Sequence, residues 1–105
     1  MANHDAAVAS ARKLITQLQA GDYQQATSTF DATMREAMPA AALQGGWEQV
    51  QAQAGAFQEA LDATCESQDG YEVVLLKLRF ANASVAARLV FDQAGQLAGM
   101  GFQPA

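Results

Sequence analysis

The chain reads as an α+β domain in which N-terminal helices, two long and a third short or broken, pack on one face of a four-stranded antiparallel sheet. Three observations predict this arrangement. Apolar residues recur at three-and-four spacing as far as Ala54, and from Phe57 the period changes to two. Three turn sites, each treated independently, then place the same strand residues on one face.

Val8, Ala11, Ile15 and Leu18, with Leu14 alongside, make the stripe of a first amphipathic helix. Asn3 is its expected N-cap and Gly21 its stop. Asp22 followed by Gln25 resembles a capping box, and Tyr23, Ala26, Phe30, Met34 and Ala37 continue as the stripe of a second helix. Pro39 ends that helix and suits the first turn of another. Gly45 and Gly46 interrupt the third, which carries Trp47, Val50 and Ala54 on one face and stops at Gly55. The helical part is expected over 3–55 and the sheet over 57–103 of a single domain spanning 1–105.

Turns are expected at Asp69-Gly70, Asn82-Ala83 and Ala94-Gly95. The first sets Cys65 opposite Val74, Ala63 opposite Leu76 and Leu61 opposite Leu78. The second sets Phe80 against Val85, Leu78 against Ala87, Leu76 against Leu89 and Val74 against Phe91. The third adds Ala98, Met100 and Phe102 to the same face. That face is expected to pack on Ile15, Leu18, Phe30, Met34 and Trp47. The opposite face carries Glu66, Thr64, Asp62 and Ala60, then Val73, Leu75, Lys77 and Arg79. Asp92, Val90, Arg88 and Ala86 follow, and then Leu97, Gly99 and Gly101. Asp62 faces Lys77, and no helix remains to cover this side.

A length of 105 residues, about half of them hydrophobic, suits one domain with one core. A formal charge of −5 with scattered Lys and Arg argues against nucleic acid, whose phosphates need clustered cations. Cys65 is the single cysteine and His4 the single histidine, so neither an internal disulfide nor a Cys/His zinc site is expected. No cofactor is expected. The start MANHDAAVASARKL lacks signal-peptide design, and no apolar run approaches the roughly 20 residues of a membrane span. A cytoplasmic location is expected for the chain as it stands, and a secreted one if a leader has been removed.

A family resemblance rests on Gly21-Asp22-Tyr23, Phe30-Asp31 with Met34, Ala37-Met38-Pro39, Leu43, Trp47 and Gly55-Ala56-Phe57. Phe91-Asp92 with Gly95 and Leu97-Ala98-Gly99 continue it to the end of the chain. This pattern resembles the domain-of-unknown-function family 3887, itself similar to the nuclear transport factor 2-like superfamily. The resemblance implies helices folded onto a curved sheet as a cone, often beside a signal peptide or an α/β-hydrolase domain, with no established activity. Neither attachment is visible in this sequence.

Some members of that superfamily are isomerases or cyclases with an acid or base inside the cone, where burial tunes it. Here Glu59 falls on the expected inner face, Asp31 adjoins Phe30, and Tyr23 offers a hydroxyl. Exposed helix or rim positions are the preferred reading for all three, and no catalytic residue is assigned. Tyr23, Phe30, Met34, Trp47, Glu59 and Met100 are candidates to line a cavity for a hydrophobic small molecule, although in a domain this small the apolar ones are more simply read as core. Cys65 suits a small buried hydrophobe, and a Cys–His pair would have to recruit His4 from the terminus. Asn82-Ala83-Ser84 matches a glycosylation sequon and equally a tight turn.

The stronger functional expectation is a non-catalytic interaction module. Asp62, Val73, Leu75, Lys77, Arg88, Val90 and Leu97 are the candidate interface of a homodimer, with Asp62 meeting Lys77 or Arg88 across a twofold axis. The ordinary alternative is a sheet with one partly wet side.

Overall fold

The structure, a computed structural model, describes residues 4–104. The expected Asn3 cap lies outside the described residues. Four helices precede four strands: α1 (His4–Ala20), α2 (Tyr23–Thr27), α3 (Ala32–Ala37), α4 (Ala40–Ala54), β1 (Phe57–Gln68), β2 (Tyr71–Phe80), β3 (Ser84–Phe91) and β4 (Leu97–Pro104). The strands form an open antiparallel sheet in sequence order, so the expected α+β class with its helices before its strands holds.

Helix α1 ends as its sequence dictates. Gly21 takes φ +78°, and the N–H groups of Gly21 and Asp22 reach back to the carbonyls of Leu18 and Gln17, which closes the last turn. Asp22 then caps α2, its carboxylate accepting from the N–H of Gln25 at 3.4 Å.

The helical partition differs from expectation at two places. The second helix is divided, and the reason is a run of hydroxyl residues. Thr27, Ser28 and Thr29 each donate to a carbonyl three residues earlier, at 3.0, 2.6 and 3.1 Å, so their side chains compete with the helical ladder. Phe30 escapes into a parallel bridge with Leu97, and Asp31 restarts the chain by capping α3 through Met34 N–H at 2.7 Å. The third expected helix, by contrast, is unbroken. Gly45 and Gly46 lie within α4 on exposed positions, where glycine costs helix stability without ending the helix.

The first strand connection is a two-residue turn, with Asp69 at φ +54° and Gly70 at φ +85°, the left-handed pair of a type I′ hairpin. Cys65 faces Val74 and Ala63 faces Leu76, as expected. Nearer the start of β1 the register shifts. Leu61 and Asp62 together oppose Lys77, so Ala60 rather than Leu61 faces Leu78, and Glu59 faces Arg79. Arg12 on α1 donates to the carbonyl of Leu61 at 2.9 Å, satisfying a group that the bulge removes from the ladder.

The second connection turns at Ala81-Asn82 instead of Asn82-Ala83. Phe80 N–H bonds to Ala83 O, while the N–H groups of Ala81 and Asn82 are held by the carbonyls of Ala56 and Ala54. Docking on the α4–β1 junction therefore selects the turn. The register moves by two residues, giving Val74 opposite Leu89, Leu76 opposite Ala87 and Leu78 opposite Val85. A shift of two preserves which side chains face inward. In β4, Met100 and Phe102 share the face of their partners Leu89 and Ala87, as expected, but a bulge before them puts Leu97 opposite Phe91.

One core joins the layers. Ala11, Leu14, Ile15 and Leu18 from α1, Phe30, Met34, Leu43 and Trp47 from the following segments, and Val74, Leu76, Leu78, Leu89 and Leu97 from the sheet are all buried within it. Ala37, expected on the second stripe, is exposed because α3 is no longer in phase with α2.

Candidate functional site

The bulge in β1 decides which groups reach the interior. By exchanging the two neighbours, it sends Ala60 against the core and turns Glu59 outward, where its carboxylate pairs with Arg79 at 3.2 Å and is half exposed. The expectation that Glu59 lines an inner cavity is therefore corrected. A carboxylate at that position would have been desolvated without an opposite charge, and the extra residue avoids this.

Most other cavity candidates are tightly packed. Phe30 is 0 % exposed, Trp47 2 % and Met34 7 %, whereas residues around a void large enough for a ligand would retain accessible surface. Trp47 meets Phe57, Phe80 and Phe102 with ring centroids 5.6, 5.7 and 6.1 Å apart, in tilted contacts that aromatic quadrupoles favour. Tyr23 and Met100 lie half-buried at the margin of the same core. Asp31 is committed to capping α3. Among the described residues, Thr27 is the single buried polar side chain, and no buried side-chain nitrogen or oxygen lacks a partner.

The outer sheet face is built as four cross-strand rows. Glu66, Val73, Val90 and Gly99 make the first, and Thr64, Leu75, Arg88 and Gly101 the second. Lys77, Ala86 and Gln103 make the third, with Asp62 beside Lys77 at the bulge, and Glu59, Arg79 and Ser84 the fourth. Val73 is buried yet stands outside the helix-covered core, while Leu75 and Val90 beside it are half-buried. Charge is segregated across the rows: β1 contributes Glu59, Asp62 and Glu66, and β2 with β3 contribute Lys77, Arg79 and Arg88. Six of the seven expected interface residues thus share this side. Leu97 does not. It is 0 % exposed and faces the core, because its backbone is clamped between Thr29 O and Asp31 N–H and the bulge after it reverses the expected alternation.

A polar group at the hairpin end escaped the sequence reading. Ser67 donates to one carboxylate oxygen of Glu72 at 2.9 Å, and the Cys65 thiol donates to the other at 3.5 Å. Register alone places Ser67 opposite Glu72, so the inward parity of Glu72 was the signal available. Burial, followed by this hydrogen bond and the negative charges of Glu72 and Glu66, pushes the Cys65 thiol up to about 11. It stays protonated at neutral pH and is a poor nucleophile. An open cleft of about 670 Å³ adjoins the group, between α1 and the two hairpin turns, bounded by Ser10, Ser67, Glu72, Phe91 and Asp92. None of the six cavity candidates borders it. Among the described residues, no helix is long and apolar enough to cross a membrane, and no three metal-ligating side chains cluster.

Among solved structures, the chain is similar to a protein from Ruminococcus gnavus ATCC 29149 determined by NMR. The TM-score is 0.65 at 18 % identity, with 85 % of this chain and 81 % of that one covered. At that identity the likeness shows the shared fold. No curated protein matches. The family model described as a protein of unknown function, DUF3887, matches residues 11–100, from within α1 to the middle of β4. The chain therefore belongs to the DUF3887 family.

Proposed function

We propose that this chain is a non-catalytic interaction module of the nuclear transport factor 2-like kind, and that its partner is a second copy docked on the open sheet face. The observation that carries the reading is the outer patch around Val73, Leu75 and Val90, apolar side chains on the side of the sheet without helices. Apolar area in that position commonly marks an interface. The occupant is argued from charge. An acidic β1 margin and a basic β2–β3 centre are complementary to each other, so a twofold axis through the face brings Asp62 or Glu66 of each copy towards Lys77 and Arg88 of the other. Gly99 places no side chain in the way, which allows close approach beside Val90.

Light scattering over a dilution series tests this directly. Self-association is expected for the native chain, and Leu75→Glu or Val90→Glu is expected to give a folded chain that scatters as a smaller species because the face contact is lost, since each places a carboxylate in the apolar patch. A native chain that remains monomeric at millimolar concentration sinks the proposal.

A further inference from the structure

The two edges of the sheet are protected very unequally. An unpaired edge presents alternating free N–H and C=O groups that invite another strand. On the β1 edge, two register irregularities, three carboxylates and the Arg12 guanidinium on Leu61 O interrupt such pairing. Edge β4 is interrupted near its ends, by the bulge between Leu97 and Gly99 and by Pro104, and runs in regular register from Gly99 to Gln103. Leu97 is occupied by Thr29 and Asp31, but from Ala98 to Gln103 the strand has no charged residue, and among the described residues no group outside β3 bonds to its backbone.

We propose that β4 pairs edge to edge, antiparallel, with β4 of a second copy about a twofold axis at Met100. The strand's own sequence favours self-pairing. In Ala98-Gly99-Met100-Gly101-Phe102, a twofold at the centre sets Gly99 opposite the partner's Gly101 and Ala98 opposite the partner's Phe102, small against large. On the inner side, Met100 and Phe102 belong to the core margin and are half-buried because no strand lies beyond them. Pairing extends their cover. On the outer side, the glycines leave the seam bare, and a Cβ added at Gly101 meets nothing within 4 Å. Self-pairing through β1 would instead oppose like carboxylates in a chain already carrying a formal charge of −5. This contact is separate from the face, and a chain using both forms assemblies larger than a dimer.

Disulfide trapping in the full chain tests the edge, with Cys65→Ser leaving an introduced thiol alone. Met100→Cys places two thiols on the axis, within disulfide reach for directly opposed residues, roughly 4.5–5.5 Å apart at Cα. Covalent dimer is expected about tenfold or more faster than for Gln19→Cys, an exposed position at the end of α1. Adding Leu75→Glu is expected to leave trapping intact, which separates the edge from the face. As a second measurement that tolerates Met100, a mixture of Ala98→Cys and Phe102→Cys chains should crosslink faster than either chain alone. Trapping no faster than at Gln19, loss of trapping with Leu75→Glu, or a mixture no better than its components each overturns the proposal.

Discussion

Replacing glycine by alanine should stabilise this protein at one pair of positions and break it at another, and the structure fixes both signs. Gly45 and Gly46 lie inside α4, and a Cβ built on either meets nothing within 4 Å. Each alanine then adds only helix propensity, about 0.8–1.0 kcal/mol, or about 2 kcal/mol for the double variant. Gly55 is the opposite case. It sits at φ +92° and ψ −179°, a region essentially restricted to glycine and costing about 1–3 kcal/mol for other residues. Its added Cβ would also lie 2.8 Å from Ala81 Cβ and 3.1 Å from Asn82 N. Those atoms belong to a turn pinned by hydrogen bonds to Ala54 and Ala56, so relief means losing them, at about 1 kcal/mol each. Gly55→Ala is therefore expected to cost about 3 kcal/mol or more. Urea melts followed by far-UV circular dichroism give the comparison. A destabilising Gly45→Ala,Gly46→Ala variant would refute the claim that this helix face is open in the folded protein, and a neutral Gly55→Ala would refute the junction geometry.

Asp31→Ala removes the carboxylate that accepts from Met34 N–H at 2.7 Å and should cost about 1 kcal/mol, read as a melting temperature about 4–8 °C lower. Glu59→Gln should change stability by less than about 1 kcal/mol, since the pair with Arg79 is half exposed, whereas a carboxylate inside the core would respond far more strongly to the same change. Cys65 should alkylate at pH 8 about 100-fold more slowly than an ordinary thiol, because its pKa lies near 11 instead of 9, with the rate still rising beyond pH 10. The linked stability has a definite sign. The unfolded thiol ionises first, so stability attributable to Cys65 is intact below pH 9 and falls as pH rises towards 11. A rate profile levelling off near pH 9 would contradict the placement of the thiol beside Glu72.

The sequence was most legible where a local rule acted alone. Asp69-Gly70 supports a left-handed two-residue turn in any context, and the pairing of Cys65 with Val74 follows directly. Legibility failed where distant groups chose between local options. Ala81-Asn82 and Asn82-Ala83 are both acceptable turns, and the choice lies with carbonyls at Ala54 and Ala56. Leu97 has the alternation of an outward residue, and the clamp from Thr29 and Asp31 overrides it. The division of the second helix had a visible cause in Thr27, Ser28, Thr29 and Asp31, a run with hydroxyls to compete for carbonyls and a carboxylate to start the next helix.

One inserted residue in β1 has the largest consequence for function. Proton-transfer chemistry in an enclosed site depends on an ionisable group held in an apolar setting, where its pKa moves towards the working pH. Glu59 was the strand residue closest to that role, and the bulge at Leu61–Asp62 exports it to the outer face. The same shift brings in Ala60, which has no chemistry, and leaves Thr27 as the buried polar side chain among the described residues. The same exchange gathers Glu59, Asp62 and Glu66 on the outer face beside Lys77, Arg79 and Arg88, around an apolar patch. The sheet thus buries mainly apolar side chains on its helical side, with Glu72 as a carboxylate at the hairpin end, and its other side sets opposite charges around an apolar centre, the arrangement on which the proposed interface rests.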